Sequence, residues 1–186
     1  HVPHRPGHLF AHAVGRIVEI ALEHEAQRDV GASAGGDVRR HLIDAGNAAL
    51  AMGDVDAATG FFRRADQVSP GNPRVKAGLA GAMVRNGDPF GAIPLFEQAE
   101  KAGAMDVTLA ADRGLAYDLV GDNTHAQQQY TISLSIGPDP EVVRRLAMSQ
   151  AIAGDQRAFE MTLLPLLQGR DLAAYRTRAF ALAVLG

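Results

Sequence analysis

Residues 84–99 read VRNGDPFGAIPLFEQA, in which Gly87-Asp88 is followed by Ala92, Phe96 and Ala99. The same phrase stands 34 residues earlier as Gly53-Asp54, Ala58, Phe62 and Ala65. It returns 34 residues later as Gly121-Asp122, Ala126, Tyr130 and Ser133. A fourth Gly-Asp, at 154–155, arrives one residue early, and Gly186 falls where a fifth would begin. A period of 34 residues is the length of a two-helix repeat unit.

Each phase of the repeat has a physical job. Gly53, Gly87 and Gly121 follow apolar helical stretches and can adopt the left-handed backbone that ends a helix. The Asp that follows is a good N-cap for the next helix. Pro89 comes directly after Asp88, at the first helical position, where its missing N–H costs nothing. Small Ala58, Ala92 and Ala126 let the paired helices approach closely, and the aromatic one turn later fills the space alongside. Pro70 and Pro138, with Gly71 and Gly137, close the second helices of their units. Apolar residues of the first helices, such as Leu79, Ala80 and Met83, recur at three- and four-residue steps.

These residues resemble the tetratricopeptide repeat: Leu-Gly or Leu-Ala, an aromatic, Gly, Ala, a large aromatic, Ala and Pro at fixed offsets. Units run 39–72, 73–106 and 107–140, a looser one runs 140–171, and the first helix of another covers 172–186. The resemblance implies an all-α, right-handed superhelix of antiparallel helix pairs. Residues 1–36 stand outside the array as an amphipathic helix and a Gly/Ala/Ser linker. Two departures stand out. Ala104 replaces the closing Pro of the second unit, and Phe159 takes the small position of the fourth, which predicts irregular packing there. Pro94 and Pro165 fall inside second helices and predict kinks.

The tail MSQAIAGDQRAFEMTLLPLLQGRDLAAYRTRAFALAVLG is similar to bacterial repeat proteins of the tight-adherence (Flp-type) pilus assembly group. That likeness implies a periplasmic or outer-membrane-associated factor in pilus or secretion assembly. The lipid-anchor Cys of many such proteins is absent, so a cytoplasmic address stays open.

Stacked helix pairs make a concave face, lined mainly by the first helix of each unit. The resemblance implies contacts at the second, fifth, ninth, twelfth and thirteenth positions of a unit. These give Asn47 and Leu50 with Arg40 and Ile43, then Arg74, Val84 and Arg85. The later units give Leu115, Asp118 and Leu119, then Arg144, Met148 and Ile152. The mixture suits an amphipathic helix or an extended apolar peptide. A carboxylate clamp of the co-chaperone kind needs Lys where Ile43 stands, and is rejected.

The termini carry their own signals. His4, His8 and His12 are spaced like a helical metal site. Pro6 breaks a helix through His4 and leaves two ligands without a carboxylate, so no metal is expected. From Leu9 to Leu22, Phe10, Val14, Ile17 and Ala21 form an apolar stripe suited to cap the array or to occupy a groove. GASAGG at 31–36 reads as a flexible linker. The last helix, DLAAYRTRAFALAVLG, exposes Tyr175, Ala179 and Leu182 with no second helix to cover them. The natural chain is therefore expected to continue, or this end to join another copy. A signal peptide or lipid anchor upstream of His1 stays open.

Composition narrows the function. With 47% hydrophobic and 21% charged residues the chain can bury a core, and a formal charge of −3 argues against a nucleic-acid partner. The absence of Cys removes disulfides, thiolate metal sites and a Cys nucleophile. No apolar run is long enough to span a bilayer. The five Ser residues lie in no nucleophile-elbow context, and there is no Gly-rich phosphate loop. The expectation is a non-catalytic scaffold without cofactor that binds a protein or peptide. A cytoplasmic co-chaperone or regulatory adaptor, and an oligomerisation module joined through terminal helices, are the alternatives.

Overall fold

The Gly-Asp phase places the start of every second helix. The computed structural model describes residues 33–104 and 107–186. Among them are nine α-helices and no strand. They are α1 (Ser33–Ala51), α2 (Val55–Val68), α3 (Pro73–Arg85), α4 (Pro89–Lys101), α5 (Ala110–Leu119), α6 (Asn123–Ile136), α7 (Pro140–Ile152), α8 (Gln156–Gln168) and α9 (Leu172–Leu185). A single 3₁₀ turn, Val107–Leu109, leads into α5. The expectations for His4, His8, His12 and the Leu9–Leu22 stripe lie outside the described residues.

Gly53, Gly87, Gly121 and Gly154 have φ of 78°, 82°, 83° and 82°, the left-handed region the sequence demands of them. The Asp after each accepts a backbone N–H of the new helix. Asp54 takes that of Ala57 at 3.0 Å, Asp88 that of Gly91 at 2.9 Å, Asp122 that of His125 at 3.2 Å and Asp155 that of Ala158 at 2.9 Å. Three of the first helices, α3, α7 and α9, are capped as well, a signal the repeat phrase does not contain, whereas α5 follows Leu109 without a side-chain cap. Asn72 accepts from the Arg74 N–H and Asp139 from the Glu141 N–H, each just ahead of a Pro that starts the helix. Asp171 accepts from the Ala174 N–H at 2.9 Å.

Where Ala104 replaces the closing Pro, Gly103 ends α4 instead, at φ 75°. Its N–H donates to the Glu100 carbonyl and that of Ala104 to the Ala99 carbonyl, at 2.8 and 2.9 Å, a paired closure of the last turn. α4 and α8 run on through Pro94 and Pro165. The expected linker at 31–36 is corrected in part. α1 begins at Ser33, so Gly35 and Gly36 are helical, carried by the long helix that follows.

The described residues form two compact units, one of residues 33–87 and 94–104, the other of 88–93 and 107–186. In the first, α2 packs on α1 and α3, and α1 also reaches α3. Phe62 is fully buried there between two glycines. A Cβ at Gly46 would lie 2.6 Å, and one at Gly78 2.2 Å, from the Phe62 Cε1. Neither position tolerates a side chain while the ring stays put.

In the second unit α6 packs on α5 and α7, α8 packs on α7, and α9 rests on both α7 and α8. Tyr130 repeats the arrangement of Phe62, with its ring 2.7 Å from where a Cβ on Gly114 would stand. In the fourth helix pair the exchange of sizes is accommodated in the core. Phe159 and Leu163 are both fully buried, against Ala147, Ala151, Ala174 and Ala181. The large residue has moved one turn, and small residues on α7 and α9 make room for it.

Candidate partner-binding surface

Of the thirteen residues expected on the concave face, all but Arg40 and Ile43 divide by how the packing uses them. Four serve the interior. Leu50 and Val84 are each 2% exposed and belong to the core of the first unit. They sit on the apolar stripe that faces neighbouring helices, so a partner cannot reach them.

Asp118, half-buried, is the third, and the packing uses it as a structural hub. Its carboxylate accepts from the Ser149 hydroxyl at 2.6 Å, the Asn123 amide at 2.9 Å and the Tyr130 hydroxyl at 2.9 Å. Three helices, α5, α6 and α7, therefore meet on one side chain. Ser149 is fully buried, and without this acceptor its hydroxyl would have to find another partner inside the core. Burial pushes the Tyr130 phenol well above its ordinary range, and the nearby Asp118 carboxylate pushes it further. It therefore stays a neutral donor.

Arg144 is the fourth. Its side chain is only 18% exposed and bridges Asp171 at 3.0 Å and Glu141 at 2.8 Å. Asp171 at the same time caps α9, so Arg144 ties the α9 N-terminus to α7. Hydrogen bonds from Arg144 lead the causes that hold the Glu141 carboxyl below its ordinary value, with Arg145 adding to them. The repeat period marks the phase of Asp118 and Arg144. It does not show that a neighbouring helix supplies donors to one and carboxylates to the other.

Two further residues are partly engaged. Arg85 is exposed, yet its guanidinium donates to the Leu50 carbonyl at the end of α1. Met148 is half-buried against the cluster around Phe159. The remaining five stay accessible to different degrees. Leu115 and Asn47 are half-buried, and the Asn47 amide oxygen is enclosed with no hydrogen-bond partner among the described residues. Leu119 and Ile152 are 52% and 53% exposed, at the same phase of successive first helices.

Arg74 belongs to a feature that the repeat offsets reveal only in part. A pocket of about 300 Å³ in the first unit is lined by Arg39, Arg40, Ile43, Asp44 and Arg74, and by the turns at 72–73 and 102–104. Arg40 and Ile43 are second- and fifth-position residues of their unit, and Arg74 is the second of the next. Arg39 and Asp44 lie beside those positions and were not among the expected contacts. Arg40 pairs with Asp37 at 2.5 Å.

The two-helix period, the glycine-ended first helices and the small-plus-aromatic pairing are now all placed. Residues 49–112 match the tetratricopeptide repeat family model. The all-α succession of helix pairs among the described residues is consistent with a repeat solenoid of that kind. Repeats of this family generally mediate protein–protein interaction and are typically non-catalytic. Among curated proteins, none matches the chain. No helix of the described residues is long and apolar enough to cross a membrane.

Proposed function

We propose that this tetratricopeptide-repeat chain is a non-catalytic scaffold that holds a peptide or helix of a protein partner against the first helices of its units. The observation that carries the reading is the pair Leu119 and Ile152. Each leaves about half of a large apolar side chain in water at the position where the resemblance implies partner contact. Covering such residues is favourable by about 25 cal/mol per Å² of apolar surface removed from water. The likeness of the tail to pilus assembly proteins supports a role in building an envelope apparatus, with a periplasmic or outer-membrane-associated address.

Affinity capture from the source organism's lysate tests this, comparing wild type with a folded Leu119→Asp, Ile152→Asp variant. Pilus or secretion components held by wild type and lost by the variant support the reading. Identical captures by the two proteins refute a binding role for this face. Fractionation of the natural protein between membrane and soluble extracts tests the address, and a cytoplasmic result favours the adaptor alternative.

A second reading, self-association, is favoured by α9. Leu172, Phe180 and Val184 are 74%, 69% and 57% exposed, although α9 packs on α7 and α8. Solution mass over a range of concentrations tests it. A Phe180→Asp variant that stays monomeric where wild type dimerises would support it, and a strictly monomeric wild type would remove it.

A further inference from the structure

The pocket of the first unit is lined by three arginines from two helices. Arg39 and Arg40 come from α1 and Arg74 from the first turn of α3. The chain as a whole carries a formal charge of −3, so this concentration of positive charge runs against the global balance. Two carboxylates temper it. Asp37 pairs with Arg40, and Asp44 lines the same pocket. Arg39 and Arg74 hold no ion pair among the described residues. Guanidinium groups are weakly hydrated, planar donors whose forked geometry matches a carboxylate. The N-terminal end of α3 adds its partial positive charge on the same side.

Asp44 decides what kind of anion fits. Its carboxylate repels the charge of a phosphodiester and of a peptide carboxylate alike, but a phosphodiester offers only acceptors and has no hydrogen to give it in return. A peptide carries an N–H beside each acidic side chain, and Asp44 can accept that hydrogen while the arginines take the carboxylate. Ile43 supplies an apolar floor for the methylene groups of a Glu or Asp side chain.

We infer that the pocket between α1 and the start of α3 is a recognition site for an acidic peptide segment of the partner, with Arg39 and Arg74 reading its carboxylates. The inference rests on the scaffold reading above and names the partner chemistry that the first unit selects.

Hexaglutamate titrated into the full chain, followed by amide NMR shifts, tests it. The expected shifts cluster at residues 39–44 and 72–74, saturate, and weaken as salt is raised. An Arg39→Glu, Arg74→Glu variant should bind at least about tenfold more weakly, as losing charge-assisted hydrogen bonds to carboxylates implies. Glu in the first turn of α3 suits the helix dipole, so this variant should stay folded, and its dispersed spectrum checks that. The Leu119→Asp, Ile152→Asp variant should bind hexaglutamate as wild type does, which separates this site from the apolar face. Absence of saturable shifts in wild type, or equal affinity in the charge-reversed variant, would overturn the inference. So would tighter binding of a thymidine hexanucleotide than of hexaglutamate.

Discussion

Replacing Gly78 by Ala should destabilise the first unit, although Gly→Ala inside a helix ordinarily does the reverse. Gly78 lies within α3, where Ala is favoured by about 1 kcal/mol through backbone entropy alone. Against that stands Phe62. The new methyl would meet its ring at 2.2 Å, far inside van der Waals contact. The ring has little room to retreat, because Phe62 is fully buried and also packs closely on Gly46, where a Cβ would stand only 2.6 Å from it. Overpacking of this kind costs about 1–3 kcal/mol and more where neighbours are fixed. At 2.2 Å the cost lies toward the upper end of that range, so the clash outweighs the helix gain and a net loss of up to about 2 kcal/mol is expected. Gly60 provides the internal control. It lies in α2, is exposed, and a Cβ there meets nothing within 4 Å. Gly60→Ala should therefore stabilise by about 1 kcal/mol. Urea unfolding followed by far-UV circular dichroism reads both. A Phe62→Leu background, which removes the ring, should shrink the Gly78→Ala penalty, and that coupling isolates the clash. If Gly78→Ala raises the urea midpoint as Gly60→Ala does, the packing account of Phe62 is refuted.

The remaining expectations concern polar groups. Asp118→Ala should cost about 3 kcal/mol, since it strands the buried Ser149 and Tyr130 hydroxyls, whereas Ser149→Ala should cost about 1–2 kcal/mol; equal losses in urea unfolding would refute the hub. Asp54→Ala should cost about 1 kcal/mol by removing the α2 N-cap, and Asp54→Asn much less, which thermal unfolding checks. The pKa of Glu141 is depressed in the fold, so its contribution is fully present above the unfolded value of about 4.3 and is lost as pH falls through the lower folded value. Glu141→Gln should therefore flatten the pH dependence of stability below about pH 4, and an unchanged acid slope would count against the Arg144 hydrogen bond as its cause.

The repeat was legible because its marks have local causes. A left-handed Gly followed by a capping Asp needs only five or six neighbouring residues to make sense, and the phase carried by Gly53, Gly87, Gly121 and Gly154 reproduces it each time. The contact face was less legible, because the use of a side chain depends on residues far along the chain. Asp118 finds its donor Ser149 31 positions away, and Arg144 finds Asp171 27 positions away. The offsets that bring these pairs together are those of successive units, yet the repeat phrase is silent on polar residues at them. The swap of sizes at Phe159 and Leu163 was visible in the sequence. Its compensation by Ala147, Ala151, Ala174 and Ala181 emerges only once α7 and α9 are placed around it.

Interior and candidate surface are linked through the backbone of the first helices. Successive helical residues point about 100° apart. Asp118 is turned toward Tyr130, Asn123 and Ser149, and Leu119 is thereby held outward, 52% exposed. Ala151 is packed at 1% exposure, and Ile152 beside it is 53% exposed for the same reason. The apolar groups offered to a partner are thus aimed by buried neighbours. Loosening the Asp118 hub should weaken partner binding without removing a single contacting atom. The separating measurement is the affinity of Asp118→Ala for a partner identified through Leu119 and Ile152, taken at a temperature where the variant remains folded. Affinity equal to wild type would mean that α5 holds its orientation without the hub, and that helix packing alone aims the surface.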